Sequence, residues 1–176
     1  MNKVEIKARL EEAYSDFLKF IDGLSADEFD YAPEGKWNAG QQAIHLIKST
    51  KPLVKALGLP KFLLKQQFGK TNRDGRNYEQ VVERYKEKLA TTTMEAPAKF
   101  KPEAASHKDF KKLCEAQRAV IDKIQTKLNK WTEEEMDEYV LPHPLMGKVT
   151  VREMMYFSIY HAGHHQNLVK LYLKGV

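Results

Sequence analysis

In segment after segment of this 176-residue chain, apolar residues recur at three- and four-residue steps, and no period-two alternation persists for the length of a strand. That pattern commits the backbone to amphipathic helices, so the fold class is all-α. Leu10, Tyr14, Phe17, Leu18 and Ile21 mark a first helix from Lys3 to about Leu24, ended by Gly23 and a turn at Ser25-Ala26-Asp27. After a Pro33-Gly35 loop, Asn38 and Gln41 form a capping box that opens a second helix, Ala39 to about Leu57. Pro52 sits inside it as an expected kink or break, and Gly58 and Pro60 stop it.

A short amphipathic piece follows, Lys61 to Phe68, and then a polar loop over 71–77. Tyr78, Val81, Val82, Tyr85 and Leu89 mark a third long helix, and Thr91 to Ala105 reads as the longest loop. Ser106 caps a helix carrying Phe110, Leu113, Cys114, Gln117, Val120, Ile121, Ile124 and Leu128. A linker from Trp131 through Pro142-His143-Pro144 and Gly147 leads to the capping box of Thr150 and Glu153, which opens a last helix to Lys174, closed by Gly175. The expected architecture is a four-helix bundle with one additional short helix, a single domain over residues 1–176.

Composition narrows the function classes. At 42% hydrophobic and 30% charged residues the chain reads as globular, not as a low-complexity or fibrous protein. The lone Cys114 cannot make an intramolecular disulfide, and the N-terminus lacks the apolar core of a secretory signal, so a cytoplasmic location is expected. No stretch is apolar for long enough to span a bilayer. The net charge of +5 is patchy: Lys48, Lys51, Lys55, Lys61, Lys65 and Lys70 occur without an acid among them, whereas Glu133, Glu134, Glu135, Asp137 and Glu138 form an acidic run. No nucleic-acid-binding motif accompanies the lysines, so they read as solvated faces and no nucleic-acid partner is expected.

The chain has 6 histidines, and three of them crowd the last helix. His161 lies mid-stripe with Met154, Phe157, Leu168 and Tyr172, while His165 falls about 40° to one side and His164 about 60° to the other. His161 and His165, at i and i+4, can present two imidazoles on adjacent turns to one metal ion; His161 and His164 are the competing pair. The plainer alternative is that each is a core histidine with a hydrogen-bond partner. An open zinc or nickel site needs a third protein ligand from elsewhere. His107, among lysines, is expected to be exposed, and His143, between two prolines, to lie in a loop at the mouth of a site. His45 is mid-helix but about 120° from the centre of the stripe Ala43, Leu46, Leu53 and Leu57, a flank position that can still face a groove between helices.

Three pieces of sequence resemble the DinB/YfiT-like superfamily of four-helix-bundle proteins: Trp37 to Ser49, with His45 before Leu46; His143 to Thr150; and Tyr160-His161-Ala162-Gly163-His164-His165. In element order the resemblance covers nearly the whole chain. It implies a metal triad of His45, His161 and His165 holding zinc or nickel, with open positions for water or substrate, and it favours His165 over His164. It also implies homodimer formation and, from relatives that use low-molecular-weight thiols, a thiol S-transferase or a hydrolase acting on a small molecule. Gln166-Asn167-Leu168 departs from the Arg-Gly-Gln of one branch of the superfamily. The competing function class is a non-catalytic bundle, a stress-related or interaction protein whose metal site is structural or vacant. No carboxylate can be placed beside the triad: Glu153 is about 80° off the face of His161 and already has a capping role.

Overall fold

A computed structural model describes residues 1–93 and 95–174. Four long helices make the bundle: α1 (Lys3–Asp22), α3 (Ala39–Leu57), α6 (Phe110–Leu128) and α8 (Val151–Leu173). α1 packs on α8 and α6, and α3 packs on α6 and α8. The shared core is filled by Leu10 and Phe17 of α1, Leu46 of α3, Ile124 of α6 and Met155 of α8, all excluded from solvent. Further helices surround this core: α2 (Ala26–Asp30), α4 (Lys61–Phe68), α5 (Tyr78–Thr91), which lies along α8, and α7 (Glu133–Glu138). The bundle therefore carries more than the one extra helix expected.

The additions have readable causes. Ser25 does not merely turn the chain: its hydroxyl accepts from the Glu28 amide and the Glu28 carboxylate accepts from the Ser25 amide, so the turn closes into α2 and buries Phe29. Thr132 and Glu135 make the same reciprocal pair and start α7, where a linker is expected from sequence. The rest of that linker is a hairpin of β1 (Val140–His143) and β2 (Gly147–Thr150), with His143 opposite Gly147. Gly147 has φ +73°, a left-handed conformation that strains other residues and lets so short a turn close. Strands of four residues are too brief for their alternation to register in sequence.

α3 runs through Pro52 without a break. The ring is on the exposed side, and in the turn before it the Ser49 and Thr50 hydroxyls donate to the carbonyls of His45 (2.7 Å) and Leu46 (2.8 Å). α8 begins at the expected cap, Thr150, and ends at Leu173 with Lys174 as its C-cap; Gly175 lies outside the described residues.

Near the start of α8, Glu153 is buried and fully bonded. Its carboxylate accepts from the amide of Thr150 (3.0 Å), from both guanidinium nitrogens of Arg73 (2.7 and 2.6 Å) and from the amide of Arg76 (2.8 Å). Burial opposes ionisation, but these donors outweigh it and hold the carboxyl below its ordinary range. The effect is to pin the 71–77 segment to the bundle. Among the described residues no helix is long and apolar enough to cross a membrane.

Candidate metal centre

His45 on α3 and His161 and His165 on α8 are all buried, and one ring nitrogen from each comes within 4.8 Å of the others. The two α8 rings sit one turn apart with their Nε2 atoms 2.9 Å from each other. His164, half-buried on the same helix, stands outside this cluster, and His107 is exposed.

The burial of His45 shows where the one-stripe arithmetic fails. Residues 42–47 of α3 are buried without interruption. That half of α3 is wrapped by α6, α8, α2 and a 3-10 turn at Ala98–Phe100, so it has no solvent face and a flank position becomes an interior one.

The outer nitrogens fix the tautomers. His45 Nδ1–H donates to the Phe100 carbonyl at 2.9 Å, and His165 Nδ1–H donates to the Gln42 side-chain oxygen. The Gln42 amide is itself oriented, because its nitrogen donates to the Trp37 carbonyl at 3.2 Å. A neutral imidazole that donates from Nδ1 carries a bare lone pair on Nε2. His45 and His165 thus each keep an unprotonated Nε2 within the cluster. His161 can meet the lone pair of His165 at 2.9 Å only by carrying its proton on Nε2, and a cation that replaces that proton would be met by three converging lone pairs.

Electrostatics favour the same state. Burial, reinforced by the neighbouring imidazoles, pushes His161 and His165 far below the ordinary histidine range. Burial also lowers His45, against the opposing hydrogen bond to Phe100. Neutral imidazoles are the ligand form, so the proton between His161 and His165 is the one a metal would have to displace. The residues present therefore fit a divalent transition metal.

The histidines form part of the wall of a cavity of about 630 Å³ whose lining is mostly apolar, with Trp37, Leu53, Phe68, Phe100, Leu141 and Phe157 prominent. Its other polar groups include Tyr85, His143 and His164. Of the lysines, Lys99 lines it; those of the 48–70 run do not, and Lys48, Lys61 and Lys70 pair instead with Glu103, Glu135 and Glu138. Glu95 is the acid among the described lining residues, and it is exposed and paired with Lys101. His143 is in the cavity wall as expected, but it is buried and ends a strand instead of sitting in an open loop.

Sequence reasoning did not find Gln42, Phe100 or Tyr85. Gln42 had a signal, since it precedes His45 by three residues and so shares its helix face. The Phe100 contact uses a backbone carbonyl, for which residue identity carries no signal.

The family model for the DinB superfamily matches residues 9–169 of the chain. No curated protein matches it.

Proposed function

The chain belongs to the DinB superfamily, and from that premise we propose that it is a metal-dependent enzyme in which His45, His161 and His165 hold zinc or nickel and a low-molecular-weight thiol attacks an apolar electrophile. One observation carries this reading: three neutral imidazoles, two of them oriented from outside by Gln42 and Phe100, converge in the wall of an apolar cavity. A bound divalent ion would supply the Lewis acidity that brings the pKa of a thiol or a water toward neutrality. The chain's own residues do the rest. The three histidines fix the ion's position, Gln42 and the Phe100 carbonyl make two of them more basic, and Trp37, Phe100 and Phe157 keep bulk water away.

Hydrolysis would use the same ligands and is the second reading. A thiol begins several pKa units closer to neutrality than water, so it depends less on a general base. Here Glu95 is engaged by Lys101 and Glu153 by Arg73 and Arg76, which leaves the described cavity wall without a free carboxylate. That favours thiol transfer. The lysines of 48–70 do not line the cavity, so the chain's own contribution to holding a thiol would be the apolar wall and Lys99 more than a cluster of cations.

The test is metal content followed by chemistry. Protein purified without a histidine tag should retain or take up about one equivalent of zinc or nickel, and should conjugate monochlorobimane to members of a panel of cellular thiols. His161→Ala should remove both properties. Ester or amide hydrolysis without conjugation would reverse the preference, and neither activity in metal-loaded protein would favour a non-catalytic bundle.

A further inference from the structure

His143 is a polar side chain in the cavity wall that the metal reading leaves without a task. It is 8% exposed and ends β1 opposite Gly147, where the turn sends the chain back beneath its own ring. Nδ1 accepts two backbone hydrogen bonds, from the amides of Leu145 and Met146, each at 3.2 Å. A nitrogen that accepts from two amides cannot carry a proton, so the ring is held as the Nε2–H tautomer. The ring stands edge-on to Phe157, with centroids 4.3 Å apart, and Phe157 in turn lies 4.6 Å from the ring of His161.

Among the described residues Nε2 has no hydrogen-bond partner, while the ring lines the cavity. A donor with no protein acceptor beside an apolar cavity forms its strongest hydrogen bond when the cavity's occupant supplies an acceptor and excludes water. We propose that His143 is a hydrogen-bond donor that positions a carbonyl oxygen of an apolar substrate, and is neither a fourth metal ligand nor a general base. A base or a ligand needs a free lone pair, and the turn has consumed the one on Nδ1. Burial pushes the imidazole down to about 4, so the donor stays neutral across the physiological range and recognises a neutral oxygen without demanding a charged one. The surrounding wall of Phe157, Leu141 and Leu145 suits an apolar body around that oxygen.

The inference rests on the proposed function only for the statement that the occupant is a substrate, so its test is run with and without zinc. Acetophenone and ethylbenzene have nearly the same shape and differ by the carbonyl. Nitrogen-15 NMR of the wild-type protein should show His143 as the Nε2–H tautomer, and that proton should shift on titration with acetophenone but not with ethylbenzene. His143→Asn keeps an acceptor for the Leu145 and Met146 amides and loses the cavity donor. It should bind acetophenone about 5–30-fold more weakly while ethylbenzene changes less than about twofold. His143→Gln, whose amide reaches the Nε2 position, should keep the preference even if the hairpin is weakened. Four results would each overturn the proposal: equal losses for both probes, an Nδ1–H tautomer, failure of both probes to bind, or a fall in zinc content in His143→Asn. Loss of zinc binding in His161→Ala with the acetophenone preference intact would separate the two sites.

Discussion

One helix, α8, buries two polar groupings of opposite design. Glu153 near its start is saturated, with amide and guanidinium donors on both carboxylate oxygens. His161 and His165, farther along, are held differently: Gln42 takes the outer nitrogen of His165, and the inner nitrogens of the two rings share one proton between them. A buried charge that is fully bonded ties segments together and costs most when one partner is removed. Two neutral imidazoles bonded chiefly to each other through a single proton can exchange that proton for a cation without leaving a charge unpaired, which a saturated carboxylate cannot do. Burial is similar in both places; what differs is whether the bonds hold a fixed charge or a replaceable proton.

The sharpest way to break this contrast is to remove the histidines. His161→Ala or His165→Ala should abolish tight zinc binding, read by elemental analysis after dialysis, and His45→Ala should do the same if α3 supplies the third ligand. Glu153→Ala should leave zinc content per folded molecule unchanged and lower the unfolding free energy by about 3–5 kcal/mol, read from denaturant midpoints. If Glu153→Ala lost zinc instead, the two groupings would not be independent.

Acid should act on the histidine end. Folded His143 is lowered to about 4 from 6.5 in the unfolded chain, so between those values the unfolded state binds a proton that the folded state refuses. Stability of the metal-free protein is thus unpenalised above pH 6.5 and falls as the pH drops toward 4, by at most about 3 kcal/mol from this residue alone. Buried His161 and His165 add to the loss. Denaturant midpoints at pH 7.5 and 5 that coincide would contradict this.

Gln42→Leu should weaken zinc affinity by about 10–100-fold without removing the site, since it orients a ligand from outside. The smallest effect belongs to His164→Ala, which should leave zinc content unchanged; a loss matching that of His161→Ala would show that the i, i+3 pair is the ligating one.

Much of the bundle was legible because its signals are local. Asn38 with Gln41 and Thr150 with Glu153 mark helix starts in the sequence, and the structure has α3 and α8 beginning there. The same signal at Thr132 and Glu135 went unread because α7 is too short to show periodicity, and the hairpin after it has strands of four residues each. At the candidate centre, the spacing of His161 and His165 carries its own chemistry, and the structure does bring them together. His45 needed a family resemblance, because residues 42–47 of α3 are buried without interruption and leave no stripe from which to measure angles there. The lysines of 48–70 read as solvated faces, and the structure agrees: none lines the cavity, and Lys48, Lys61 and Lys70 pair with Glu103, Glu135 and Glu138.

The Phe100 carbonyl that orients His45 belongs to none of the bundle helices. It lies on a single 3-10 turn between α5 and α6, anchored nearby by Lys48 donating to the Lys101 carbonyl at 2.8 Å. The orientation of His45 is thus joined to a crossover whose length and composition can vary more freely than those of a packed helix. If the histidines do hold an ion, related chains could drift in metal affinity through that crossover alone with every histidine in place, by the same order as loss of the Gln42 contact.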